Sequence, residues 1–278
     1  MRPRALWRVI NVPRVLITGA AGIIGGFLRR GLPPSGWQLR LLDIAEIPDP
    51  GPAEQILTGD IRDASLLTAA VKDVDAVVHL AGISGEDDFD RIRDINIDGT
   101  YQVFEACRRA GPRRIVYASS NHAVGFTPRS ELATVDVPVR PDTYYGLSKA
   151  FGEAAARLYV DKYGMEIACL RIGSCFERPR NVRMLSTWLS PGDIARLVQA
   201  GLTAPGLRFA TVYGISANTR GWWDLGPARA LGYQPQDDAE VFAGEMLAAH
   251  GELDSGDPDY RYLGGRFTEM LPPGQSGG

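Results

Sequence analysis

The chain is poor in the residues that build metal centres and covalent cross-links. Among its 278 residues there are only three cysteines and three histidines. Cys107, Cys169 and Cys175 have no metal-ligand spacing, and no other grouping of His, Cys, Asp and Glu supplies one, so the expectation is a protein without a metal. Cys107 falls in a helical pattern and Cys169 in a strand, which makes both small core residues and points to a cytoplasmic setting. A long basic tract is also missing. Thirty Lys and Arg stand against 33 Asp and Glu, a net charge of −3, which argues against nucleic acid or an anionic membrane as the main partner. No apolar run approaches the length of a membrane span. Residues 1–12, MRPRALWRVINV, are basic and partly apolar but lack an h-region and a small-residue cleavage site, so they are expected to be an N-terminal extension. With no internal repeat and no long linker, residues 13–278 are expected to form one domain.

Glycine, by contrast, is abundant, and its placement organises the chain. In Arg14–Gly25, RVLITGAAGIIG, a short apolar run leads straight into Gly19, Gly22 and Gly25. Val15–Thr18 is expected to be a buried strand and Ile23–Arg30 the helix after it. Glycines at this spacing turn the chain tightly and let backbone approach a pyrophosphate, whose charge the free N–H groups around Ile23 and Ile24 can receive. The next predicted strand, Gln38–Leu42, ends at Asp43, eighteen residues past Gly25, where a carboxylate can accept both hydroxyls of an adenosine ribose and repel a 2′-phosphate. NAD is therefore the expected cofactor. Asp60 and Ile61, after a short strand at Ile56–Thr58, offer a polar and an apolar contact for adenine; an ordinary turn into the next helix is the alternative.

Further strands are expected at Asp75–Leu80, Arg114–Ser119, Met165–Ile172 and Leu207–Tyr213. Helices are expected at Asp90–Ala110, Thr143–Tyr163, Pro191–Leu202, Gly221–Ala230 and Ala239–Ala249, with Asp63 capping another. This alternation predicts an α/β fold, a doubly wound parallel sheet of Rossmann type, with a small C-terminal substrate-binding lobe drawn mainly from residues 173–190 and 214–235. Beyond Gly251 the tail is rich in Gly, Pro and Asp, with one apolar island around Tyr262–Phe267. Ligands of such sheets lie beyond the carboxyl ends of the strands, so residues 81–85 and 119–125 are the first places to look for chemistry.

Tyr145 and Lys149 lie four apart on a predicted helix and share one face. An ammonium nearby favours phenolate over phenol and brings Tyr145 toward useful acid–base chemistry. Ser120, at the mouth of a neighbouring strand, can hold the reacting oxygen. His79 closes an apolar strand and is expected to be a satisfied core histidine. Trp222 and Trp223 can wall a sugar, but two adjacent aromatics on an amphipathic turn are expected to include at least one core anchor, so neither is assigned to the site.

These residues resemble the extended short-chain dehydrogenase/reductase family. TGAAGIIG matches its glycine motif; HLAG at His79–Gly82, NIDGT at Asn96–Thr100 and YGLSK at Tyr145–Lys149 match three others. The resemblance implies that Tyr145 is the acid/base, that Lys149 tunes it and binds ribose, and that Ser120, favoured over Ser119, positions the reacting oxygen. Tyr144 would put the lysine at the wrong helical angle. It also implies that Leu80, Ala81, Gly82 and Asn96 border the cofactor, although Asn96 is equally an amide bridging the catalytic helix to neighbouring backbone, or an ordinary polar helix position. YASSNHAVGF, RIGSCFERPRNVRMLSTW and GWWD are similar to the branch of the family that oxidises the C1 hydroxyl of a pyranose uronic acid with NAD.

That narrower resemblance implies a small-molecule sugar acid as substrate, held by Ser84, Ser120, Asn121, His122, Tyr145, Ser174 and Arg183, and a homo-oligomer. Buried polar groups at Asn121 and His122 need partners, which a polyhydroxylated sugar or neighbouring backbone can supply. Spacing alone does not choose Arg183 over Arg178 or Arg180; the resemblance selects it as the carboxylate clamp. A nucleotide-sugar epimerase or dehydratase that retains NAD, and a non-catalytic NAD sensor, are the competing readings.

Overall fold

The computed structural model describes residues 12–52, 54–129 and 132–274. Most of the expected N-terminal extension, residues 1–11, and the last four residues lie outside the described residues. Five apolar-rich strands come first: β1 (Arg14–Thr18), β2 (Gln38–Asp43), β3 (Glu54–Thr58), β4 (Ala76–His79) and β5 (Arg114–Ser120). β6 (Glu166–Ile172) follows, and β9 (Phe209–Gly214) completes a seven-stranded parallel sheet; between them β7 (Ser174–Cys175) and β8 (Trp188–Leu189) form a separate two-stranded pair. The sheet order is β3-β2-β1-β4-β5-β6-β9, so the direction of winding reverses between β1 and β4. This is the expected doubly wound sheet, with its switch point beside the glycine turn.

Helices cover both faces because the strands are apolar on both. α1 (Ile23–Gly31) and α7 (Pro191–Thr203) close one face, where Phe27 and Leu28 join Ile194, Leu197 and Val198 in a common core. On the other face lie α2 (Ala64–Ala70), α4 (Gly99–Ala110) and α5 (Tyr144–Tyr163), with Leu67, Val103, Phe104, Tyr159 and Val160 packed on the strands. Caps set the starts. The Asp63 carboxylate accepts the N–H groups of Ser65 and Leu66, and the Ser190 hydroxyl accepts that of Asp193, both as the sequence predicts.

Two elements depart from expectation. The predicted helix at Asp90–Ala110 is divided: a short α3 (Phe89–Ile92) and α4 are joined by a π-helical stretch, Arg93–Asp98, which turns Asn96 inward to 3% exposure. The predicted helix at Gly221–Ala230 is confined to α8 (Gly226–Ala230), because Trp222 and Trp223 are used otherwise. The Trp222 carbonyl accepts Ala133 N–H, Trp223 pairs with Ala133, and both rings join Val124, Tyr213, Ile215 and Leu263 in a satellite core. That core anchors the C-terminal segment, where Pro128 pairs antiparallel with Tyr262.

Candidate active site

The glycine turn is shaped by contacts that a side chain would break. Gly19 has φ +74°, and a Cβ there would stand 2.6 Å from the Ala81 nitrogen, so the turn lies hard against the loop after β4. A Cβ on Gly25 would overlap the Ala20 carbonyl, which keeps α1 close to β1. Gly22 is the N-cap of α1 and has no side chain to occupy the first amides, so those of Ile23 and Ile24 remain open to an anion. Asp43 lies across the turn. Its Oδ2 accepts Ala21 N–H at 2.9 Å and its Oδ1 accepts Ala45 N–H at 3.0 Å, which fixes the carboxylate while each oxygen keeps a lone pair for a ribose hydroxyl. These residues fit the pyrophosphate and adenosine ribose of a dinucleotide.

Asp60 and Ile61 are less open. The Asp60 carboxylate is taken by Arg62 at 2.6 Å, and Ile61 is buried, its Cδ1 packed under Gly99 in the core. Both serve the turn into α2 in this structure. Asn96 is the bridge: its Oδ1 accepts Ile83 N–H at 2.8 Å, and its Nδ2 donates to the Ile83 carbonyl and the Ser148 hydroxyl. With the amide so occupied, Asn96 shapes the loop carrying Leu80, Ala81 and Gly82 instead of offering a free ligand group. Gly82, at φ +152°, passes beside that amide.

The alternation of β5 separates the two adjacent serines. Ser119 donates to buried Glu153 at 2.6 Å, whereas Ser120 hydrogen-bonds the Tyr145 phenol and accepts His122 N–H. Ser120, Tyr145 and Lys149 thus come together as the sequence predicts. The electrostatics require a correction. Burial pushes the Tyr145 phenol up to about 12, with the nearby Asp142 charge adding to the rise and the Ser120 hydrogen bond opposing it. Lys149 lies over the ring. Its Nζ donates to the Ala118 carbonyl at 2.9 Å and stands 5.5 Å from the centre of the Tyr145 ring, and burial brings its own pKa down to about 8.

The expected substrate residues gather at the same strand ends. Ser84 is exposed on a loop held by Ile83 and by Glu86, whose carboxylate accepts Tyr145 N–H at 3.0 Å. Ser174 shares a hydrogen bond with the Thr187 hydroxyl. Asn121 donates to the Leu263 carbonyl at 2.7 Å, so neighbouring backbone already satisfies part of its amide. Arg183 is buried and donates to the carbonyls of Asp259, Tyr262 and Leu263, with Asp259 Oδ1 3.7 Å from its Nε. Burial lowers it to about 10, against the pull of Asp259 and Asp142. Arg178 and Arg180 are exposed, one paired with Glu245 and the other over Phe176, which singles out Arg183 among the three.

Sequence reasoning missed Phe267, on which the His122 ring stacks at 3.9 Å, and Asp142, which holds His122 Nδ1 at 2.7 Å. Only the apolar island in the tail hinted at the former. His79 is as expected: Thr18 and Thr100 satisfy its nitrogens, and burial lowers it to about 3. Among the described residues no group of His, Cys, Asp and Glu is placed to hold a metal, and no helix is long and apolar enough to cross a membrane.

The sequence model of the NAD dependent epimerase/dehydratase family matches residues 15–216. A uronate dehydrogenase from Pseudomonas putida is 44% identical over 260 residues, spanning 93% of this chain and 97% of its own. The crystal structure of a uronate dehydrogenase mutant from Agrobacterium tumefaciens, complexed with NAD, superposes with a TM-score of 0.88 at 44% identity, covering 93% of this chain and 98% of that one. That of a glucuronic acid dehydrogenase from Chromohalobacter salexigens gives 0.90 at 43% identity, covering 95% and 99%.

Proposed function

The chain belongs to the NAD dependent epimerase/dehydratase family, and we propose that it is a uronate dehydrogenase, oxidising the C1 hydroxyl of a pyranose hexuronic acid, glucuronate or galacturonate, to the aldarolactone. The observation that carries this reading is the grouping of Ser120 and Tyr145 with a buried Arg183 that shares the Leu263 carbonyl with Asn121, in a chain that matches uronate dehydrogenases over more than nine-tenths of its length. NAD, when bound, accepts the hydride from C1. Ser120 and Tyr145 hold the C1 hydroxyl, and Tyr145 takes its proton as the phenolate, the form that the Lys149 ammonium 5.5 Å from its ring centre favours. Lys149 holds the ribose. Arg183 meets the sugar carboxylate with the guanidinium hydrogen atoms not given to carbonyls, and Asn121, His122, Ser84 and Ser174 meet hydroxyls.

The dehydratase reading loses ground at Asn121 and His122, which stand beside Ser120 where that chemistry needs an acidic group. The test is absorbance of NADH from free glucuronate and galacturonate. Stoichiometric NADH favours the dehydrogenase, whereas substrate conversion without NADH favours an epimerase or dehydratase. In the same assay NADP should be used at least ~100-fold less well, because Asp43 meets its 2′-phosphate with like charge; equal kcat/KM values would remove Asp43 from that role. A cytoplasmic homo-oligomer without nucleic-acid partners completes the proposal: the free, buried cysteines and the acidic balance support the setting and the lack of nucleic acid, and the family resemblance alone supports the assembly; light scattering of the full chain tests the assembly.

A further inference from the structure

Asp142 has no role in the reaction so far, yet it is the most completely enclosed carboxylate near the site. Its side chain is 0% exposed, and both oxygens receive a donor: Oδ2 from His122 Nδ1 at 2.7 Å and Oδ1 from the Thr143 hydroxyl at 2.9 Å. A Cβ on Gly125 or Gly264 would overlap this carboxylate, so two loops close over it and leave it one orientation. The ring it holds is equally confined. His122 stacks on Phe267 with 24° between the planes and meets the Tyr145 ring at 60°, the centroids 5.8 Å apart. Turning the imidazole over would replace an N–H with a C–H against a buried carboxylate and leave Oδ2 without a donor.

We propose that Asp142 is a positioning residue: it keeps His122 protonated on Nδ1, so that Nε2 is presented as a fixed hydrogen-bond acceptor for the sugar hydroxyl next to the reacting carbon, the C2 hydroxyl. A carboxylate only accepts, so the bond to Asp142 assigns a ring proton to Nδ1, and in the neutral ring the lone pair is then on Nε2. An acceptor in that place selects for a hydroxyl donor. Tyr145, whose ring centre is 5.8 Å from that of His122, takes the C1 hydroxyl, so the hydroxyl on the adjoining carbon is the one assigned to His122. The inference rests on the uronate reading above, but its tautomer component is independent of any substrate.

Two measurements test it. Long-range proton–nitrogen NMR of the full-length enzyme at neutral pH is tractable because the chain has three histidines, and His122 is assigned by the signal lost in His122→Phe. The expected pattern is a protonated Nδ1 and a bare Nε2; a proton on Nε2, with or without one on Nδ1, overturns the proposal. The second measurement compares kcat/KM for a hexuronic acid and its 2-deoxy analogue. The wild type should lose at least ~30-fold when the hydroxyl is removed, because a buried acceptor is then left unpaired. In Asp142→Ala, and in His122→Phe should the first variant not fold, the same deletion should cost less than ~3-fold. A purely structural role for Asp142 would depress both substrates alike and leave the ratio at its wild-type value, and that result overturns the proposal. If the wild type turns over no uronic acid, the functional reading fails, while the NMR pattern still decides the arrangement of Asp142 and His122.

Discussion

At the scale of single residues, the site combines groups that burial makes expensive. Tyr145 sits at about 12 and Lys149 at about 8, each shifted chiefly by loss of water. Tyr145→Phe keeps the ring and removes the proton carrier, so turnover should fall at least ~1,000-fold while NAD affinity stays within ~3-fold; fluorescence titration and the NADH assay check both halves. Lys149 links catalysis to stability. Its folded pKa of about 8 lies below the ordinary 10.5, so between these values the folded chain binds fewer protons than the unfolded one. Stability therefore rises with pH across that window, and below about 8 the full cost of the buried charge is present, of order 3 kcal/mol. Lys149→Met should remove that pH dependence and raise Tm by a few degrees at pH 7, less the loss of its bond to the Ala118 carbonyl, while abolishing turnover. A lower Tm in the variant would show that the amine is better solvated than its position indicates.

At the scale of elements, α5 is the part on which the chemistry depends, and its ends are well specified. The Thr143 hydroxyl accepts Gly146 N–H, Glu86 accepts Tyr145 N–H, and Gly164 closes the helix at φ +67°. Midway, Gly152 lies against the Tyr117 phenol so closely that a methyl would overlap it. Gly152→Ala must push α5 away from β5, carrying Tyr145 and Lys149 off Ser120. It should destabilise the protein by ~1–3 kcal/mol and reduce kcat at least ~10-fold; a normal kcat alongside a lowered Tm would mean that the helix yields without moving its first turns. The sequence makes such an element legible because its information is local: cap residues, a four-residue spacing and apolar periodicity all lie within it. The π-helical turn at Arg93–Asp98 leaves no such trace, since six residues of changed winding sit inside an otherwise helical pattern. The stretch Gly221–Leu225 misleads for the opposite reason. Its local pattern is helical, but pairing with Ala133 and packing of both tryptophans on the satellite core decide its conformation.

At the scale of the whole molecule, the site is closed by a segment whose importance only the folded chain reveals. Asn121 lies 142 residues before its Leu263 partner, and His122 meets both Asp142 and Phe267; contacts at such separations have no signature in spacing. Arg183 stands at the junction, donating to carbonyls at Asp259, Tyr262 and Leu263, and the proposed function gives it the substrate carboxylate as well. On that reading it has two duties, and substitutions separate them. Arg183→Ala should lower kcat/KM for a uronic acid and also for its neutral parent sugar, because the C-terminal segment loses its anchor in both cases. The loss on the uronic acid should be larger by at least ~10-fold, reflecting the charge-assisted bond that the neutral sugar never made. Arg183→Lys keeps the charge but not the fork, so it should recover part of the carboxylate preference without restoring the three carbonyl contacts or the wild-type Tm. Equal losses on both sugars in both variants would confine Arg183 to anchoring the segment, and recognition of the carboxylate would then have to be sought elsewhere along the strand ends.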